Sequence, residues 1–165
     1  MHDVMPQTPV DPADFRKLMG QFATGVCVVS ARHDGRISGI TVNSLVSVSL
    51  DPMLICWSIQ NTSSQFDLWT QAESFAVSIL AEGQDKLASR YAARGDTGQK
   101  DDDFTQSGLT QPVIRDGLAY LDCRKWSLYP AGDHTMIFGE VTGIKQTVDG
   151  RPLGFFGGEF CRIAD

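Results

Sequence analysis

Gly39-Ile40-Thr41-Val42-Asn43-Ser44-Leu45-Val46-Ser47-Val48-Ser49-Leu50 is the stretch that decides the fold class. Its even positions, Ile40, Val42, Val46, Val48 and Leu50, are apolar, interrupted only by Ser44. Its odd positions, Thr41, Asn43, Ser47 and Ser49, are polar and uncharged, interrupted by Leu45. Side chains alternate between two faces of an extended chain, so a period of two predicts an extended segment with one buried face. The other face offers hydroxyls and an amide. It lacks the Lys or Glu that a strand facing solvent usually carries.

Downstream, Asp51-Pro52 ends the run, and Met53-Leu54-Ile55-Cys56-Trp57 reads as a fully buried strand. Upstream, Val26-Cys27-Val28-Val29 reads as a strand, and His33-Asp34-Gly35 carries the turn chemistry of a hairpin. Before it, Asp14 is the expected N-cap of a short helix through Phe22, with Phe15, Leu18, Met19 and Phe22 on one face. Residues 1–13 read as an N-terminal arm, with three prolines in the first twelve positions, ahead of one domain over 14–165.

Further along, Phe75–Leu80 is a strand, Asp85–Ala93 a short helix, and Gly95–Gln111 a polar surface loop without periodicity. Leu118–Tyr129 and Thr135–Val148 are strands flanking Pro130-Ala131-Gly132-Asp133-His134, and Phe155–Arg162 makes a last strand. Short strands at turn-separated intervals with two or three small helices predict a mainly β barrel or sandwich, not a doubly wound sheet.

The 165 residues suit one domain, long enough to bury about 70% of the unfolded surface. Neither disulfide nor structural metal is required for stability. A net charge of −6 argues against nucleic acid and against an anionic membrane surface as partner. No apolar run approaches the ~18 residues of a membrane span, and the start MHDVMPQTPVDPADF is not a secretory signal. The cytoplasm is the expected compartment. Cys27, Cys56, Cys123 and Cys161 are widely spaced, without metal-ligand spacing, and three of them sit in apolar runs as small hydrophobes.

Neither a dinucleotide-binding glycine fingerprint nor a P-loop is present, and Gly35-Arg36-Ile37-Ser38-Gly39 is too loose to count. Nucleophile-elbow and zinc-protease motifs are also missing. The notable cluster is Asn61-Thr62-Ser63-Ser64, ahead of Phe66, Leu68 and Trp69. It predicts a helix start, with Asp67 three residues after Ser64 as a weak capping box. The hydroxyls either cap that helix or, with its N–H groups, hold a phosphate without any lysine. Together with the uncharged face at 41–49, the cluster suits a neutral polar heterocycle with a phosphate tail, and flavin fits that description.

Phe22-Ala23-Thr24-Gly25-Val26 and the run 39–52 resemble the signature of the flavin reductase-like family, the small components of two-component flavin monooxygenases. Gly132-Asp133-His134-Thr135-Met136-Ile137-Phe138-Gly139-Glu140-Val141 is similar to the family's second hallmark, a Gly-Asp-His turn running into a strand. Leu121-Asp122-Cys123 and Pro152-Leu153 match weaker positions, and the resemblance spans about residues 14–162. Met53 departs from it, standing where the family usually has a second proline. The resemblance implies an FMN-binding split β-barrel of Greek-key type, usually a homodimer, that binds FMN or FAD. It places Thr41, Val42, Asn43, Ser44 and Ser47 near the isoalloxazine. It gives Ser58, Asn61, Thr62, Ser63 and Ser64 the ribityl and phosphate.

His134 either shapes its hairpin by hydrogen bonding to backbone or stands at the flavin rim and positions the nicotinamide of NADH or NADPH. Asp133 suits a turn-capping role. Hydride transfer between the rings is intrinsic cofactor chemistry, so the protein mainly orients them and no catalytic acid is required. The implied function is a flavin reductase that feeds reduced flavin to a partner monooxygenase. The alternative is a flavin carrier or electron-transfer module on the same barrel, without nicotinamide turnover.

Overall fold

The computed structural model describes residues 9–92, 100–147 and 149–164. The first eight residues of the expected arm, the last residue of the expected helix 85–93, residues 95–99 of the expected loop and the last residue of the expected strand 135–148 lie outside these. Helix α1 (Pro12–Met19) begins three residues earlier than the sequence suggested. Asp11, not Asp14, is its N-cap, accepting from the Ala13 N–H at 2.7 Å, with Pro12 in the first turn. Proline suits that position because its missing N–H would have no helical partner there.

Next come β1 (Thr24–Gly25), β2 (Cys27–His33), β3 (Arg36–Val42), β4 (Val46–Leu50) and β5 (Met53–Gln60). Helix α2 (Phe66–Gln71), strand β6 (Ser74–Ile79) and helix α3 (Asp85–Ala92) follow, then a 3-10 turn at Asp101–Asp103 and the short pair β7 (Phe104–Thr105) and β8 (Val113–Ile114). The long ribbon β9 (Ala119–Ala131) and β10 (His134–Gln146) leads to β11 (Leu153–Phe156) and β12 (Glu159–Arg162). Two expectations change here. The last strand is a hairpin, turned at Gly157-Gly158. The polar stretch before Gln111 contributes a strand, and its Phe104 is 4% exposed, packed in a core.

The quoted stretch is also two strands, broken at Asn43-Ser44-Leu45, and that break explains the architecture. The main antiparallel sheet runs β3-β2-β6-β9-β10-β5-β4, so β3 and β4 are its two edges although they are consecutive in sequence. Laid flat, seven strands would separate those edges by roughly 29 Å at ~4.8 Å per gap. The four Cα steps from Val42 to Val46 span at most about 15 Å. The sheet must therefore curl until its edges meet. No ladder joins them among the described residues, and the result is a split barrel whose non-sequential strand order is of Greek-key type.

Strand β2 is buried on both faces. Cys27, Val29 and Ala31 enter the barrel core with Trp57, Trp69 and Phe75. Val28, and Val26 just before the strand, pack outside it against Leu80, Ala88, Tyr91 and Phe104. Trp57 meets Trp69 and Phe75 edge-on, with ring centroids 5.7 and 5.8 Å away; such geometry adds about 0.5–1.5 kcal/mol per pair beyond burial. Gly139 sits at a register shift in the ribbon, where a Cβ would lie 2.6 Å from the Phe75 ring. The expected buried face fails in β4, where Val46, Val48 and Leu50 are 51, 46 and 86% exposed. That face of β4 is left uncovered in the single chain. Met53 is likewise exposed, so the buried part of β5 starts later than expected.

Candidate functional site

The seam of the split barrel holds a cleft of about 750 Å³, within the ~300–1,000 Å³ typical of small-molecule sites. Five pieces of chain meet there: the end of β3 with the 43–44 crossing, the end of β5, the turn at 60–65, the end of α3 and the start of β10. Among the described residues that line it, none is Asp, Glu, Lys or Arg. Thr41, Val42, Asn43, Ser44, Ser58, Thr62, Ser63, Ser64 and His134 line it, so the structure brings together most of the residues singled out in the sequence.

Two of these side chains also hold the cleft's walls. Ser44 Oγ accepts from the Ser58 N–H at 3.1 Å, pinning the crossing to β5. Thr41 Oγ1 donates to the Ala88 carbonyl at 2.7 Å, tying β3 to α3.

The turn at 60–65 differs from the expected helix start. Helix α2 begins at Phe66 with Gln65 in the cap position and no side-chain cap. The Ser64–Asp67 capping box is therefore not formed. Ser63 is consumed locally: its N–H donates to the Gln60 carbonyl at 2.9 Å, and its Oγ accepts from the Gln65 N–H at 3.2 Å. The Thr62 and Ser64 hydroxyls make no hydrogen bond among the described residues. A six-residue helix has little dipole to offer an anion, so any phosphate binding falls to these hydroxyls.

Ser47 and Asn61 lie outside the lining. Ser47 is exposed on β4 opposite Ile55. Asn61 clamps the Gly-Asp-His turn. Its N–H donates to the Asp133 carbonyl at 2.9 Å, its Nδ2 to the Gly132 carbonyl at 3.3 Å, and its Oδ1 accepts from Thr135 Oγ1 at 2.8 Å.

That turn presents His134. Gly132 takes φ +65° at the first of two central positions, the type II′ arrangement that suits strand twist. His134 then starts β10 opposite Gln60. Its Nδ1 lies 2.7 Å from Asp133 Oδ1, and that hydrogen bond, with the imidazole's charge, holds the Asp133 carboxyl below its ordinary value of 3.8. The pair is exposed, so its role is to orient the ring; Nε2 has no partner among the described residues.

Sequence reading missed Ile40, Ile59, Gln60, Gln65, Tyr91 and Ala92 as lining. Gln60 and Gln65 flank the hydroxyl cluster and extend its signal. Tyr91 has none, because it arrives from α3. Its ring stands edge-on to Phe104 at 5.4 Å, and its hydroxyl donates to Asp103 Oδ2 at 2.8 Å. Burial, with Asp103, raises the phenol above its ordinary range, so it is a neutral wall.

A cleft whose described lining is uncharged, with apolar walls, mixed donors and acceptors, and at one end two hydroxyls without a partner among the described residues, fits a flavin. Comparisons with known proteins agree. The pattern of the flavin reductase like domain matches residues 19–164. An FMN reductase (NADH), SmoA of Agrobacterium fabrum, is 41% identical over 150 residues, 91% of this chain and 85% of that one. HsaB of Rhodococcus jostii, the reductase subunit of a flavin-dependent monooxygenase, is 32% identical over 93% of this chain and 79% of its own. The NADH:FAD oxidoreductase SgcE6 of Streptomyces globisporus, solved with NAD and FAD fragments, superposes with a TM-score of 0.85 at 34% identity, covering 96% of this chain and 98% of that one. With its split barrel and neutral cleft, the chain belongs to the flavin reductase family.

Proposed function

We propose that the chain catalyses reduction of FMN or FAD by NADH or NADPH and supplies the reduced flavin to a partner monooxygenase. The observation that carries this is the cleft at the barrel seam, whose described lining carries no Asp, Glu, Lys or Arg and includes His134. The names of its relatives, an NADH-dependent FMN reductase and a monooxygenase reductase subunit, support it.

A bound flavin supplies the two-electron acceptor chemistry. The chain's own residues would do the rest. Thr41, Val42, Asn43 and Ser44 line the ring end, and Ser58, Thr62, Ser63 and Ser64 the ribityl and phosphate end. His134, oriented by Asp133 and held in place by Asn61, positions the nicotinamide. The walls keep the two reactants aligned, which lowers the entropic part of the barrier. Hydride transfer itself needs no acid from the protein.

A homodimer belongs to the same reading. It would cover the apolar side chains of Val46, Val48, Leu50 and Met53, which stand exposed on the β4–β5 edge, as contiguous exposed apolar patches commonly mark interfaces. Among the described residues no helix is long and apolar enough to cross a membrane.

The steady-state test is loss of nicotinamide absorbance with each pairing of nicotinamide and flavin. Oxidation that requires added flavin is expected. Flavin binding with no nicotinamide oxidation in any pairing would replace this reading with a flavin carrier.

A further inference from the structure

Helix α3 reaches the seam cleft at Tyr91 and Ala92, and Tyr91 is held there by a carboxylate that does not line the cleft itself. We propose that Asp103 is a positioning residue for the flavin: through Tyr91 it fixes the α3 wall along which the ribityl chain lies. The proposal rests on the flavin reading above.

One carboxylate oxygen makes the clamp. Asp103 Oδ2 accepts from the Tyr91 hydroxyl at 2.8 Å and also from Arg90 Nη1, so two consecutive side chains of α3 share it. The Tyr91 hydroxyl in turn accepts from the Lys100 N–H at 3.3 Å. Asp103 is anchored from the other side. Its carbonyl accepts from the Arg115 N–H at 2.8 Å, and the Arg115 guanidinium donates to the carbonyls of Asp102 and Phe104 at 3.2 and 2.9 Å. The clamp is therefore built on the β7–β8 pair, away from the cleft, and Tyr91 carries its effect inward.

The ring is seated on β3 as well. A Cβ at Gly39 would stand 2.9 Å from Tyr91 Cδ1, so glycine is what lets the ring come onto the strand. Two residues on, Thr41 Oγ1 donates to the Ala88 carbonyl at 2.7 Å. Strand β3 runs along the cleft, with Thr41 and Val42 at the end assigned to the flavin ring and Ile40 next. Ser38 lies beyond, in a neighbouring hollow lined also by Ser64 and Gln65. Tyr91, resting on Gly39, thus stands between the ring end and the hydroxyl-rich turn, the stretch that the ribityl chain must cross. Its phenol is 3% exposed. A buried hydroxyl deprived of its acceptor must find another, and the polar space open to it is the cleft that it lines.

The test titrates FMN, riboflavin and lumiflavin, which lacks the ribityl chain, by fluorescence quenching, with melting temperatures measured beside. Asp103→Ala should bind FMN and riboflavin about tenfold more weakly, as loss of a hydrogen bond to a charged group would give, and lumiflavin within about twofold of the parent. Asp103→Asn makes the same change in net charge but keeps an acceptor, and should recover FMN and riboflavin binding to within about threefold. Tyr91→Phe keeps the ring and loses only the hydroxyl. It should weaken the same two ligands, and it carries the comparison if Asp103→Ala does not fold. At saturating flavin the KM for NADH should match the parent's. A lower melting temperature with all three flavins bound as in the parent would overturn the proposal, leaving Asp103 a structural tie. Equal weakening of all three would overturn it as a general collapse of the cleft, and weakening of FMN alone as a field effect on the phosphate. A parent that binds none of the three would overturn the flavin reading itself. Binding by the parent confines any failure to Asp103.

Discussion

Asn61 Oδ1 accepts a hydrogen bond from Thr135 Oγ1 at 2.8 Å, linking the turn beyond β5 to the second residue of β10. With its Nδ2 on the Gly132 carbonyl, Asn61 fixes the hairpin that carries His134 against the hydroxyl-rich wall of the cleft. Asn61→Ala removes both side-chain bonds, each worth about 0.5–1.5 kcal/mol. The melting temperature should fall by roughly 4–8 °C. A positioning role further requires the KM for NADH to rise by ~3–10-fold with FMN affinity nearly unchanged, read by steady-state kinetics beside fluorescence titration. Equal loss of both ligands would reduce Asn61 to a structural clamp.

The two adjacent serines should separate. Ser64→Ala removes an uncommitted hydroxyl, so FMN should bind about tenfold more weakly while riboflavin, lacking the phosphate, is little affected. Ser63→Ala removes the acceptor of the Gln65 N–H and should mainly lower thermal stability. Titration of both flavins against both variants checks this. Matching losses of FMN and riboflavin for Ser64→Ala would move the phosphate elsewhere.

Much of this site was legible because hydroxyls and amides cluster in short runs, and the hairpin at His33-Asp34-Gly35 because its turn residues announce it. Asp34 and Gly35 both take positive φ. What sequence could not convey was long-range. Period-two patterning describes each half of 39–50 equally well, and nothing local says that the chain crosses between opposite sheet edges at Asn43. Phe104 is buried because Tyr91 comes to meet it, within a stretch too polar to suggest a core residue. Asn61 looked like one more phosphate donor, and only the register of β5 against β10 turns it toward Gly132 and Thr135.

The cysteines offer a pH test. Burial pushes the Cys27 and Cys123 thiols up to about 12 from an ordinary 9.0, and Cys56 is also raised by burial. A thiol raised in the folded state contributes its stability below the unfolded value and loses it as pH climbs toward the folded one. Stability should therefore decline between pH 9.0 and about 12 as the unfolded chain ionises first. At neutral pH, Cys161, the half-exposed thiol, should react with a thiol reagent, and all four only after denaturation. Rapid modification of more than one thiol in the native protein would contradict the packing.

The exposed β4 edge should be an interface in solution. Val48→Glu places a charge in that patch and should shift a dimer to monomer in sedimentation, without unfolding, because the side chain is 46% exposed in the single chain. A parent protein that sediments as a monomer at assay concentration with full activity would contradict the dimer.

The central claim is that the seam cleft brings a reduced nicotinamide to a flavin, with His134 as the residue that positions it. The most direct measurement is anaerobic stopped-flow bleaching of protein-bound flavin on mixing with NADH, for the parent and for His134→Ala. The parent should bleach far faster than free flavin and saturate with NADH. The variant should need ~10-fold more NADH or bleach about tenfold more slowly, as loss of a hydrogen-bonded contact of about 1.4 kcal/mol would give, with its flavin still bound. Bleaching of parent flavin at the rate of free flavin would contradict the account.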